Sequence, residues 1–199
     1  MAELSVNVKG TRIHYLNNDL SEKPRIVMFH GARFNAETWN QVGTLTRLKE
    51  ARIPGIAVDF PGYGKSERGR WGDLGEFIGD LLEEMGLAEA VLLGPSMGGH
   101  AVLSYAVKRG KFSGLILIGA VGVDEFEKDL GKLNGKPILL IWGSKDNVSP
   151  LSNAKKIMER MSSAKLEIIG NQHACYLDEP KKFNDTIVKF MNDLKWSPS

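Results

Sequence analysis

The sequence predicts an α/β fold, a mostly parallel eight-stranded sheet with helices on both faces and no cap domain. Three observations predict it. Apolar runs of strand length alternate with amphipathic runs of helix length over most of the chain. One apolar run, Ala90-Val91-Leu92-Leu93, leads into Gly94-Pro95-Ser96-Met97-Gly98 and then a helical run from His100 to Arg109. Only about sixteen residues separate the strand ending near Gly119 from the one starting near Lys136, too few for a separate lid.

The elements follow in order. Leu4 to Val8, a Lys9-Gly10 turn and Thr11 to Leu16 read as an antiparallel hairpin. Arg25 to Phe29 is the first buried strand. An amphipathic helix is expected over Glu37 to Glu50, with Leu45 and Leu48 on one face. Gly55 to Asp59 is a strand, and Trp71 to Met85 a helix with Phe77, Ile78, Leu81 and Leu82 inward. After the strand and helix around Ser96 come strands at Leu115 to Gly119 and Lys136 to Trp142. A helix over Pro150 to Met161 is expected to start with Ser149 as N-cap and Pro150 at its first position. Leu166 to Ile169 is the last strand and Pro180 to Leu194 the closing helix, striped by Phe183, Ile187, Phe190 and Leu194. The tail Trp196-Ser197-Pro198-Ser199 is expected to fray.

Length and composition narrow the class. The 199 residues suit a single domain over 1–199 and are short for two. Hydrophobic residues at 42% and charged residues at 25% are ordinary for a globular chain. A net charge of +2 argues for neither a nucleic-acid nor a membrane partner. Cys175 is the only cysteine, which excludes an internal disulfide and cysteine metal sites. Met1 to Pro24 has no apolar secretory core and no apolar run approaches a membrane span, so a cytoplasmic location is expected. No cofactor and no metal are expected. The histidines are scattered, and Gly64-Lys65-Ser66 imitates a phosphate loop but has Asp59 where that loop needs glycine. The Lys-Lys pairs at 155–156 and 181–182 read as solvated helix faces.

Gly-x-Ser-x-Gly between a strand and a helix reads as a nucleophile elbow, with small residues where the backbone doubles back. A serine hydroxyl needs a base, and the base needs a third group to fix its tautomer. His173, in Gly170-Asn171-Gln172-His173 after the last strand, lies at the rim that carries Ser96 and is the expected base. His14 reads as a surface strand residue, His100 as a packing or polar-surface residue, and His30 as shaping the loop that begins at Gly31. Asp146 follows another strand and is the expected acid, with Asp59 as the rival in a structural turn. The order Ser96, Asp146, His173 suits this chemistry. The N–H groups of Ala32 and Met97 are the expected oxyanion donors. Arg33, next to Ala32, reads either as a surface salt bridge or as a contact to an anionic group on the substrate. Cys175 reads as a buried structural thiol.

On these residues the chain resembles the alpha/beta hydrolase superfamily along nearly its whole length, and Asp59-Phe60-Pro61-Gly62-Tyr63-Gly64-Lys65-Ser66 resembles the turn that this superfamily places after its fourth strand. Two stretches are similar to a small lidless group within it, that of hydrolase-domain-containing protein fourteen. They are His30-Gly31-Ala32-Arg33-Phe34 with Glu37-Thr38-Trp39, and His173-Ala174-Cys175-Tyr176-Leu177-Asp178-Glu179-Pro180. The resemblance implies hydrolysis of acyl esters, and the ordered triad beside a short, lidless connection points to a serine esterase acting on a small or short-chain acyl substrate. It also leaves open acyl transfer to or from a thiol or amine. A non-catalytic binding protein on the same fold is the alternative of another class. Gln172 and Pro95 depart from the residues common at these positions, and Pro95 is expected to alter one wall of the pocket.

Overall fold

The computed structural model describes residues 1–195; the tail at 196–199 lies outside them. An eight-stranded sheet runs in the order β1-β2-β4-β3-β5-β6-β7-β8. Its strands are β1 (Ala2–Val8), β2 (Thr11–Asn17), β3 (Ile26–Met28), β4 (Gly55–Val58), β5 (Val91–Pro95), β6 (Gly114–Ile118), β7 (Ile138–Trp142) and β8 (Ala164–Ile168). From β4 to β8 every neighbouring pair is parallel, while β1 and β2 form an antiparallel hairpin added at one edge. All residues of β3 through β7 are buried, whereas β1 and β8 are mostly exposed or half-buried. This is the burial expected of a parallel sheet covered on both faces. The hairpin turns at Lys9 and Gly10, both with positive φ (49° and 83°), which suits the twist of a two-residue loop.

Helices cover both faces. On one side α3 (Leu74–Glu84), α4 (Met97–Arg109) and α5 (Leu151–Arg160) pack Phe77, Leu81, Val102, Leu103 and Ile157 onto the sheet. On the other, α1 (Glu37–Gln41), α2 (Thr44–Glu50) and α7 (Pro180–Asp193) bury Trp39, Leu45, Leu48, Phe183 and Ile187. The short α6 (Cys175–Asp178) precedes α7. The β6–β7 connection holds two short 3-10 turns, Val123–Phe126 and Leu130–Leu133, and no cap domain is present among the described residues.

Four expectations need correction. The helix expected over Glu37 to Glu50 is two helices, because Gly43 adopts φ 79° and breaks the run. The helix expected over Trp71 to Met85 begins later, capped by Asp73, whose side chain accepts the Glu76 N–H at 2.9 Å. Ser149 does not cap α5; Pro150 takes that position, and the buried Ser149 hydroxyl donates to Ala120 O at 2.6 Å. The last strand is shifted to Ala164–Ile168.

The Gly43 break is testable. A Cβ there would meet only Asn184 Nδ2 at 3.6 Å, an ordinary contact. Gly43→Ala is therefore expected to destabilise the fold by backbone strain alone, about 1 kcal/mol, measured by urea unfolding.

Candidate active site

Ser96 sits where β5 becomes α4, with φ 51° and ψ −115°, a backbone conformation strained for any residue with a side chain. Its N–H donates to Ile118 O on β6 at 2.9 Å, and its carbonyl accepts the His100 N–H at 3.0 Å. The residue thus closes the sheet ladder and opens the helix. The flanking glycines are required by contact: a Cβ on Gly94 would lie 2.3 Å from Gly98 O, and one on Gly98 would lie 2.6 Å from His30 O. Pro95 is buried at the end of β5, beneath the turn.

The structure brings the three expected side chains together. Ser96 Oγ is 2.8 Å from His173 Nε2, and His173 Nδ1 is 2.7 Å from Asp146 Oδ2. A carboxylate only accepts, so Nδ1 carries the proton and Nε2 is left to accept the Ser96 hydroxyl. Asp146 is fully buried by its side chain, and its Oδ1 accepts the N–H groups of Val148 (2.9 Å) and Ser149 (2.8 Å). His173 keeps 22% of its side chain exposed, so the pair is not sealed from solvent.

The loop after β3 lies against the elbow: a Cβ on Gly31 would be 3.8 Å from Ser96 Cβ. His30 holds this loop. Its Nε2 accepts the Phe60 N–H at 3.0 Å, so its Nδ1–H donates to Gly31 O at 2.8 Å. In a trans peptide the N–H points opposite the carbonyl, so pinning Gly31 O fixes the direction of the Ala32 N–H. Burial lowers the His30 pKa and keeps the ring neutral. Phe34, on the same loop, packs edge-on against Tyr176 (5.9 Å), which packs against Trp39 and Phe183. That aromatic cluster joins the Gly31 loop to the segment following His173.

Other expected residues fall as follows. Arg33 is exposed and makes no ion pair or hydrogen bond among the described residues, so the salt-bridge reading fails. Asp59 is structural: Oδ1 accepts the Ala36 N–H at 2.7 Å, and Oδ2 accepts the Lys65 N–H at 2.9 Å. His14 is not a surface residue. Its ring is mostly buried, with Nδ1 2.7 Å from Asp59 Oδ2. His100 pairs with Glu125 at 2.8 Å and packs on Phe126. Sequence reasoning missed Gly119, where a Cβ would lie 2.8 Å from Asp146 Oδ2 and 3.1 Å from His173 Nδ1. Its position straight after a buried strand on the shared rim was the available signal.

A nucleophile-elbow serine on a parallel sheet, hydrogen-bonded to a histidine–aspartate pair from later strand ends, defines the alpha/beta hydrolase class. The alpha/beta hydrolase family matches residues 26–134, and the chain belongs to it. Within that family it is similar to protein ABHD14A of Danio rerio, with 30% identity over 85% of this chain. The chain spans 65% of that relative's length. It is also similar to ABHD14B of Rattus norvegicus, named as a candidate protein-lysine deacylase, with 26% identity over 98% of this chain and 97% of the relative. The crystal structure of a hydrolase described as CIB-like, from Thermoplasma acidophilum, superposes with TM-score 0.90 at 30% identity, covering 97% of this chain and 98% of that one. The resemblance read from the two sequence stretches is thereby borne out. No helix among the described residues is long and apolar enough to cross a membrane.

Cys175 lies two residues past His173 and is fully buried, and desolvation pushes its thiol up to about 12 from 9.0. Iodoacetamide at pH 8 is therefore expected to alkylate the native protein at least about 100-fold more slowly than the urea-unfolded chain, measured by intact mass.

Proposed function

We propose that this protein is a serine hydrolase that cleaves small or short-chain acyl esters through an acyl-enzyme. The unbroken hydrogen-bond chain Ser96–His173–Asp146, seated on a strained elbow, is the observation that carries this reading. Ser96 Oγ attacks the acyl carbonyl while His173 Nε2 takes its proton. Asp146 holds the imidazole in the productive tautomer and stabilises the imidazolium. The N–H groups of Met97 and Ala32 receive the negative charge that develops on the carbonyl oxygen. His173 then protonates the leaving oxygen. A water molecule, deprotonated by His173 in turn, releases the acyl group as a carboxylate. Arg33, unpaired beside Ala32, receives an anionic group on the substrate.

A second reading keeps the same groups and changes the leaving atom. The name of the rat relative, a candidate protein-lysine deacylase, favours cleavage of an acyl-lysine amide, in which His173 protonates a departing amine. The two are separated by comparing p-nitrophenyl acetate with an acetyl-lysine peptide at equal concentration.

Ser96→Ala is expected to lower turnover of p-nitrophenyl acetate by at least about 1,000-fold, and Asp146→Asn by roughly 1,000- to 10,000-fold with the fold intact. Equal rates for wild type and Ser96→Ala on both substrates would refute the triad reading. Arg33→Ala is expected to lower the preference for a p-nitrophenyl hemisuccinate over the acetate by about tenfold in kcat/KM, the size of one charge-assisted hydrogen bond. An unchanged ratio would remove Arg33 from the site.

A further inference from the structure

The loop that delivers His173 is clamped on two sides. The carbonyls of Gly170 and Asn171 accept the N–H groups of Ser144 (3.0 Å) and Lys145 (2.8 Å), both on the loop that carries Asp146. From the other side, Asp178 Oδ2 accepts the N–H groups of Asn171 at 2.8 Å and Gln172 at 3.0 Å. Asp178 Oδ1 accepts the Gln172 side-chain amide as well. Asp178 therefore receives three donors from the two residues directly before His173. Neighbouring Glu179 takes only the Gly170 N–H, at 2.7 Å.

Asp178 is itself held in place. It ends α6, whose first two residues, Cys175 and Tyr176, are buried in the core. A rigid helical turn thus presents one carboxylate to two peptide units. The chain between those units and that turn contains His173. The N–H groups of Gln172 and Asn171 hold the Asp178 carboxyl below the usual carboxylate range, as expected for an ionised acceptor in regular use.

We propose that Asp178 is a positioning residue for the hydrolytic reaction: by clamping the peptides of Asn171 and Gln172 it keeps His173 within reach of both Ser96 and Asp146. The inference rests on the triad reading above. Without Asp178, Gln172 loses its hydrogen bonds, while Asn171 keeps those from the Lys145 N–H and the Ser144 hydroxyl, and the loop turns about that hinge. A shift of about 1 Å in a catalytic group is enough to cost on the order of 100-fold in rate. The clamp acts on His173 and not on substrate binding, so its loss falls on kcat.

The test uses the full chain and p-nitrophenyl acetate, after Ser96→Ala has been shown to abolish turnover. Failure of that control sinks the triad reading, separately from this one. With the control intact, Asp178→Ala is expected to lower kcat by roughly 10- to 100-fold and leave KM within about twofold. Asp178→Asn, whose carbonyl oxygen still accepts the two backbone N–H groups, is expected to recover most of the loss. Glu179→Ala, which frees only Gly170, is expected to lose less than Asp178→Ala. If Asp178→Ala does not fold, Asp178→Ser is measured by the same criteria. A kcat within about threefold of wild type, a loss confined to KM, or an Asn variant no better than Ala overturns the proposal.

Discussion

The strained backbone of Ser96 is the constraint on which the rim of the molecule depends. Strand β5 approaches helix α4 so closely that Gly94 has no room for a Cβ, and the backbone at His30 leaves none at Gly98. Ser96 therefore belongs to the ladder through its N–H and to the helix through its carbonyl, with φ 51° between them. A conformation of this kind costs on the order of 1–3 kcal/mol and persists only where the surroundings fix it. Here the fully buried strands β3 and β6 fix it from both sides. The side chain is left half-buried at the sheet edge, 2.8 Å from His173 Nε2.

Parallel strands deliver the partners of that serine to the same edge. The order β4-β3-β5-β6 places β3 and β5 side by side although they are far apart in sequence, a point where the winding reverses and the two exit loops part. The Gly31 loop leaves β3 there, and Ser96 leaves β5. On the other side, β7 and β8 are neighbours, and their exit loops carry Asp146 and His173. The pairing of Ser144 with Gly170 and of Lys145 with Asn171 extends the β7–β8 contact past the strand ends. The aspartate–histidine distance is thus set by the same backbone bonding that builds the sheet.

The sheet and the triad were legible in the sequence because both leave dense local signals. Strands buried on both faces read as apolar runs, and Ser96, Asp146 and His173 each follow one of them. What the sequence hid were choices settled by contacts distant along the chain. Nothing near Gly43 says that the turn it makes will be used against Asn184 rather than absorbed into one helix. Ser149 looks like a cap until Ala120, twenty-nine residues earlier in the chain, supplies a buried acceptor. His14 looks like a surface residue because its partner Asp59 is forty-five residues away. The short α6 has too few residues for a periodic signal, and its place is set by the burial of Cys175 and Tyr176.

The four histidines show how partners, not residue type, assign chemistry. His30 has a backbone donor on one nitrogen and a backbone acceptor on the other, so its tautomer is fixed and it has nothing to exchange. His14 faces Asp59 through Nδ1, but its buried Nε2 has no hydrogen-bond partner among the described residues. His100 pairs with an exposed glutamate at the helix flank. Only His173 has a buried carboxylate on one nitrogen and a hydroxyl on the other, with part of its ring still exposed. An imidazole so placed can take a proton from Ser96 and return it to a group arriving from outside. No cap domain covers the strand ends among the described residues, and the β6–β7 connection is filled by two short 3-10 turns. Under the proposed acyl-enzyme reading, a site without a cap favours water as the acceptor, and an amine or thiol would have to compete by binding to the rim.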